Sequence, residues 1–184
     1  MLLGGALRVL AAVPTVVHGF AAVFLLVPLI REAFGGSGFC WLAAGVMLAL
    51  QGVPTMTLVM DEALRSVSEQ TSLTAAALGM TPLQNLSRVV IPASAPWLVS
   101  AAMLGFGRAL GDTLLPLMLA GNAAQFASSP LDSLRPMTAH IGLALSSDVG
   151  GGENRSLLTA GGFLLLGSAG AAMAARFLSD RKRP

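Results

Sequence analysis

Long uncharged stretches dominate the pattern of hydrophobic and polar positions in this chain. Residues 9–30, 39–60 and 156–175 contain no Asp, Glu, Lys or Arg, and residues 97–121 contain two charged residues. A helix that spans a membrane needs about 20 predominantly apolar residues. The four stretches therefore predict four membrane-spanning helices.

Composition supports a membrane protein. The 184 residues are 54% hydrophobic and 11% charged, whereas a soluble domain carries about 25% charged residues. Disorder is excluded as well, because it requires low hydrophobicity and high net charge. We expect an all-α integral membrane protein with about four transmembrane helices in one domain, residues 1–184.

Residue counts exclude several kinds of chemistry. A single cysteine, Cys40, allows neither an internal disulfide nor a thiolate metal cage. His18 and His140 lie far apart in the sequence, so we expect no metal site. The only lysine, Lys182, is not followed by Ser or Thr, which excludes a P-loop for ATP. The net charge of +2 fits the cytoplasmic flanks of membrane spans better than it fits nucleic-acid binding.

Basic residues in the flanks predict the orientation. With both termini in the cytoplasm, most Lys and Arg outside the spans lie inside, among them Arg65, Arg88 and the run 181–183. This distribution satisfies the positive-inside rule. It makes residues 61–96 a cytoplasmic loop and residues 122–155 an external loop.

The cytoplasmic loop has the start and stop signals of two short helices. Ser66 and Glu69 fit a capping box. They predict a helix over residues 67–78, and Gly79 offers the left-handed cap that ends it.

A second set of signals follows at once. Thr81 and Gln84 fit another capping box with Pro82 at the first helical position, and Pro92 is predicted to end this helix. Two caps and an apolar helix face favour a docking surface for a cytoplasmic partner over an amphipathic hairpin that lies on the membrane.

The loop resembles a motif of a known family. Residues 73–79 (LTAAALG), followed by Val89, Ile91 and Pro92, resemble the EAA loop of ABC-importer permeases, with Gly and Pro at the family's spacing. Leu73 stands where the family usually has Glu.

Other stretches narrow the resemblance. Residues 13–20 (VPTVVHGF), 53–55 (VPT), 61–65 (DEALR), 107–113 (GRALGDT) and 120–122 (AGN) resemble the phosphate-specific permease subunits of bacterial high-affinity importers. Two positions depart from that pattern. His18 stands where the family usually has Tyr, and Asp112 stands where it usually has Glu.

The resemblance implies a fold, a function and partners. It implies a type I ABC-importer permease that forms the path for inorganic phosphate in the bacterial cytoplasmic (inner) membrane. A second permease subunit, cytoplasmic ATP-binding subunits that hold ATP and Mg²⁺, an external phosphate-binding protein and membrane lipid would be its partners, and the chain itself would bind no cofactor. Gly79 would be the pivot of the two loop helices. The residues implied to couple to the ATPase are Leu73, Thr74, Ala75, Leu78, Gly79, Met80 and Pro92.

Such permeases usually have more spans than the four predicted here. We expect the missing spans to be N-terminal ones, so that the chain is either a fragment or a truncated gene product, or is completed by spans of a separate polypeptide.

Arg108 and Asp112 are the charged residues inside a predicted span. Each costs about 2.5–3.5 kcal/mol at the membrane centre. Their i, i+4 spacing puts both on one helix face, where they can pair, and Gly107 and Gly111 offer a surface for close helix contact. Two interpretations stay open: Arg108 contacts phosphate while Asp112 orients it, or the pair locks the helices or helps a gate to close.

Thr15 and His18 follow Pro14 inside the first predicted span. They are candidates for lining the pathway, and a simple proline kink is the alternative.

Three other functions stay open. They are a permease for another solute, an inactive truncated membrane fragment, and an intramembrane hydrolase. The hydrolase would need a dyad of Ser168 with His140 or His18.

Overall fold

The computed structural model describes residues 2–146 and 153–180. This part of the chain is almost entirely helical, with one isolated backbone bridge between Gly121 and Leu134. Four helical units are long and apolar enough to span a membrane, which confirms the predicted fold class. The helices are α1 (Leu2–Ala12), α2 (Thr15–Phe34), α3 (Trp41–Ala77), α4 (Pro82–Asn85), α5 (Ile91–Gly111), α6 (Leu114–Leu119), α7 (Met137–Ser146) and α8 (Glu153–Asp180).

The first span begins later than predicted. Pro14 precedes α2 with an extended backbone, ψ 141°, so residues 9–30 do not form one helix. A proline has no N–H to donate to an upstream carbonyl and its ring meets that carbonyl. The chain therefore breaks between α1 and α2, and Thr15 becomes the first residue of the spanning helix.

The second span continues far beyond its predicted end. α3 has 37 residues and is about 55 Å long at 1.5 Å per residue, whereas the hydrocarbon core of a membrane is about 30 Å thick. The predicted helix start at Ser66 is wrong, because no Gly or Pro interrupts the chain between Pro54 and Leu78. An ion pair of 2.8 Å between Arg65 and Asp61 supports the extended part.

The turn after α3 follows its sequence signals. Gly79 has φ 70°, and the N–H of Met80 donates to the carbonyl of Ala75 at 3.0 Å. The second capping box is also confirmed: the Thr81 hydroxyl accepts from the N–H of Gln84 at 3.3 Å, and the Gln84 carbonyl oxygen accepts from the N–H of Thr81 at 2.9 Å. We call residues 61–92 the hairpin.

Pro92 does not end the returning helix, so that prediction is wrong. A five-residue π-helical turn, Leu86–Val90, joins α4 to α5 directly before this proline. A π turn is wider than an α turn, which accommodates a ring that would otherwise meet an upstream carbonyl. The membrane-spanning unit consequently runs from Pro82 to Gly111.

The predicted span 97–121 is two helices. α5 ends at Gly111, Asp112 is extended with ψ 124°, and α6 begins at Leu114. The core of the molecule lies beside this break, where Leu115 and Leu119 are fully buried among α2 and α3.

The segment after α6 folds over the start of α3. The indole N–H of Trp41 donates to the carbonyl of Ser129 at 2.9 Å, and the N–H of Leu42 donates to that of Pro130 at 3.0 Å. The predicted external loop thus contains an ordered cap, followed by α7. Its glycine run at 150–152 lies outside the described residues.

Candidate functional site

Four polar side chains meet where two helices are interrupted. Thr15 is the first residue of α2, Gln51 lies on α3, Arg108 lies in the last turn of α5, and Asp112 lies in the break before α6. We call these residues the polar cluster.

Gln51 is the centre of the polar cluster and is only 7% exposed. Its amide nitrogen donates to Oδ2 of Asp112 at 2.9 Å. Its oxygen accepts from the hydroxyl of Thr15 at 2.7 Å and from the guanidinium of Arg108 at 3.1 Å. The amide is assigned this way because the opposite orientation faces its oxygen to a carboxylate and its nitrogen to donors.

Asp112 accepts two hydrogen bonds rather than pairing with Arg108. Its Oδ1 accepts from the N–H of Leu115 at 3.0 Å, which holds the start of α6, and its Oδ2 faces Gln51. Among the charged side chains that the structure describes, the one ion pair joins Arg65 to Asp61. The expected pairing of Arg108 with Asp112 is therefore wrong. α5 ends at Gly111, which takes Asp112 off the helical path of an i, i+4 contact, and Oδ2 of Asp112 bonds to Gln51 instead.

Arg108 keeps most of its hydrogen-bonding capacity. A guanidinium carries five N–H donors, and this one donates to Gln51 while its side chain remains exposed. A fork of free N–H groups matches the oxygens of a phosphate or carboxylate. The cluster thus presents a guanidinium whose geometry suits an oxyanion.

Close contact between α3 and α5 places Gln51 beside Arg108. A side chain added at Gly105 would overlap with Met56. The predicted contact through Gly107 and Gly111 is not made within the part of the chain that the structure describes, since a Cβ at either position meets nothing there within 4 Å. Both glycines instead line a cleft of about 560 Å³ between α5, α7 and α8.

His18 lies outside the polar cluster, whereas Gln51, which was not predicted, is part of it. His18 lies one turn after Thr15, and its Nδ1 is buried without a hydrogen-bond partner, so it does not bond to the cluster. Sequence reasoning missed Gln51. A lone amide in the uncharged stretch 39–60 was the available signal, because polar side chains inside spans usually bond across helices.

The predicted coupling residues occupy the hairpin with different exposures. Leu73 and Leu78 are 83% and 74% exposed, and Thr74, Gly79 and Pro92 are exposed as well. Ala75 is buried and Met80 is half-buried, and both face a crevice inside the hairpin. A docked partner would therefore contact the neighbours of Ala75 rather than its side chain.

Ser168 does not form the predicted dyad with His140 or His18, and no metal cluster forms in the described part of the chain. The hydroxyl of Ser168 donates to the carbonyl of Leu165 at 3.0 Å, whereas Nε2 of His140 lies 3.2 Å from the hydroxyl of Ser156. Across these same residues, no three His, Cys, Asp or Glu side chains lie close enough to hold a metal ion.

The sequence matches known transport proteins. A family model described as "Binding-protein-dependent transport system inner membrane component" matches residues 1–183. The chain is 32% identical over 179 residues to "Probable ABC transporter permease protein YqgH" of Bacillus subtilis (strain 168), covering 96% of this chain and 58% of the relative.

Two further relatives carry a substrate in their names. "Phosphate transport system permease protein PstC" of Xylella fastidiosa (strain 9a5c) is 30% identical over 184 residues, covering 88% of this chain and 56% of the relative. The protein of the same name from Haemophilus influenzae is 30% identical over 182 residues, covering 87% and 56%. The chain spans about half the length of the curated relatives it matches. No solved structure matches the chain.

Proposed function

Since this chain belongs to the family of binding-protein-dependent transport system inner membrane components, we propose that it is a pathway-forming subunit of an ATP-driven importer of inorganic phosphate. The observation that carries the proposal is the guanidinium of Arg108, which has free N–H donors and lies in an apolar membrane-spanning unit. The names of the relatives in Xylella fastidiosa and Haemophilus influenzae agree with phosphate as cargo.

The polar cluster would act as a transient site on the pathway. Phosphate in an apolar environment requires donors that replace its water, and a guanidinium supplies them in a fork geometry. Thr15 and Asp112 lie at helix interruptions, where membrane transporters commonly bind their cargo. His18, one turn from Thr15, would line the same route.

The hairpin would transmit the work of ATP-binding subunits that hold ATP and Mg²⁺. α3 extends well past the thickness of a membrane, and its end carries the exposed side chains of Leu73 and Leu78. Thr74 and Gly79 would complete the docking surface. Ala75 and Met80 would support this docking surface from inside the hairpin, and Pro92 would support it from the returning helix.

The proposed assembly sits in the bacterial inner membrane with both termini in the cytoplasm. This orientation follows the positive-inside rule and puts the hairpin on the side where ATP is available. A second permease subunit would complete the pathway, and an external phosphate-binding protein would deliver cargo at the opposite end.

The test is ATP-dependent uptake of radiolabelled phosphate by proteoliposomes that contain this chain, a second permease subunit, the ATP-binding subunits and the binding protein. Arg108→Ala should lower uptake at least about tenfold, because a hydrogen bond to a charged group contributes about 1.5–3 kcal/mol. Arg108→Lys should retain part of it, since it keeps the charge and loses the fork. Arg31→Ala, at an exposed arginine in the last turn of α2, is the control.

Two results would contradict the proposal in different ways. Uptake of sulfate or an amino acid without uptake of phosphate would contradict the cargo and favour a permease for another solute. Full phosphate uptake by Arg108→Ala would contradict the role of the polar cluster.

A further inference from the structure

We infer that Gln51 is a positioning residue of the pathway, which holds Asp112 away from Arg108 and so keeps the guanidinium available to a tetrahedral oxyanion. The inference rests on the proposed function, because it concerns how the same cluster receives phosphate.

The amide of Gln51 suits two unlike partners. An amide has a donor end and an acceptor end in one plane, so it can bond a carboxylate and a guanidinium at once. Gln51 does so, with its nitrogen on Asp112 at 2.9 Å and its oxygen on Arg108 at 3.1 Å. A carboxylate at position 51 could accept from Arg108 but could not donate to Asp112. An ammonium could donate to Asp112 but could not accept from Arg108.

A direct pair of Arg108 with Asp112 would cancel part of the positive charge that attracts an anion. A neutral amide that bonds to both groups keeps the two charges apart. A guanidinium and a carboxylate attract each other, so this pair would approach if nothing else engaged Asp112. Both carboxylate oxygens are engaged, Oδ1 by the N–H of Leu115 and Oδ2 by the amide of Gln51.

The hydroxyl of Thr15 donates to Gln51 at 2.7 Å, and Asp112 holds the start of α6 through the N–H of Leu115. One side chain of α3 thus connects the beginnings of α2 and α6, which lie at the two helix interruptions. A rearrangement that separates these helices from α3 must break the bonds of Gln51 and let Arg108 and Asp112 approach each other.

The decisive variants exchange the two functional groups. Gln51→Glu puts two carboxylates in contact and should both destabilise the complex and raise the KM for phosphate. In the double variant Gln51→Glu with Asp112→Asn, the amide at 112 donates to the carboxylate at 51, which restores every hydrogen bond at an unchanged net charge. The negative charge then touches Arg108 directly.

We expect the double variant to recover the wild-type melting temperature of the assembled transporter while its KM for radiolabelled phosphate stays raised about tenfold or more. Gln51→Leu should raise the KM similarly with little change in maximal rate per assembled transporter. A purely structural role for Gln51 predicts instead that the double variant regains the wild-type KM, and that result would overturn the inference. Wild-type proteoliposomes without any phosphate uptake would contradict the proposed function itself, so the two failures are distinguishable.

Discussion

The polar cluster and the hairpin tip, residues 73–85, are held together in opposite ways. In the cluster, side chains from three helices bond across long sequence separations, as Gln51 does to Thr15 over 36 residues. At the hairpin tip, every bond joins neighbours, as in the reciprocal bonds of Thr81 and Gln84. The cluster therefore depends on how the helices pack, whereas the hydrogen bonds of the tip depend on residues close in sequence.

The same difference explains what could be predicted from the sequence. The cap at Gly79 and the box at Thr81 depend on residues within a few positions, so their residue types determine them. The Ser66 box failed because a capping box also needs an interruption of the helix before it, and none occurs in α3. Gln51 could not be assigned because its partners belong to other helices.

Prolines divide along the same line. Pro14 ends one helix and begins another, whereas Pro92 is absorbed by the π turn Leu86–Val90. Both have the same ring chemistry, so a proline alone does not decide whether a helix ends. The number of spans was therefore predictable from hydrophobicity, and their boundaries were not.

The largest effect on stability is expected at the contact between α3 and α5 that places Gln51 beside Arg108. Gly105→Ala adds a methyl group that overlaps with Met56, and overpacking of this kind costs about 1–3 kcal/mol. The free energy of unfolding in mixed detergent micelles should fall by this amount, and phosphate uptake should fall with it because Arg108 moves relative to Gln51. Gly107→Ala, where a Cβ meets nothing within 4 Å, is the matched control.

Combining Gly105→Ala with Met56→Ala should recover uptake, since the smaller side chain leaves room for the new methyl. Equal stability of the two glycine variants would show that the cluster does not depend on this contact. The contrast with the hairpin tip would then be lost.

An intermediate effect is expected at the turn of the hairpin. Gly79 has φ 70°, a conformation that costs a residue with a Cβ about 1–2 kcal/mol. Gly79→Ala should therefore destabilise the tip locally and reduce phosphate-stimulated ATP hydrolysis by the assembled transporter, while the KM for phosphate stays unchanged. Gly45→Ala, at an exposed helical position with open space, should instead be neutral or stabilising by up to about 1 kcal/mol. A raised KM in Gly79→Ala would mean that the tip and the cluster are not independent.

The smallest effect on stability is expected at the exposed leucines of the hairpin. Replacing them should change docking of the ATP-binding subunits while the fold stays intact. Leu73 and Leu78 are 83% and 74% exposed, so replacing both with Ser should change the free energy of unfolding by less than about 0.5 kcal/mol per site. Removing two apolar contacts should nevertheless weaken the attachment of the ATP-binding subunits, because the interface residues that carry most of the binding energy each cost a complex more than about 1 kcal/mol when truncated. Co-purification of those subunits measures the loss, and Phe126→Ser, at a fully exposed phenylalanine in the segment that caps the start of α3, should leave it intact. If the leucine variant retains its ATP-binding subunits, the hairpin does not dock them through these side chains, and the exposed apolar tip must serve another contact.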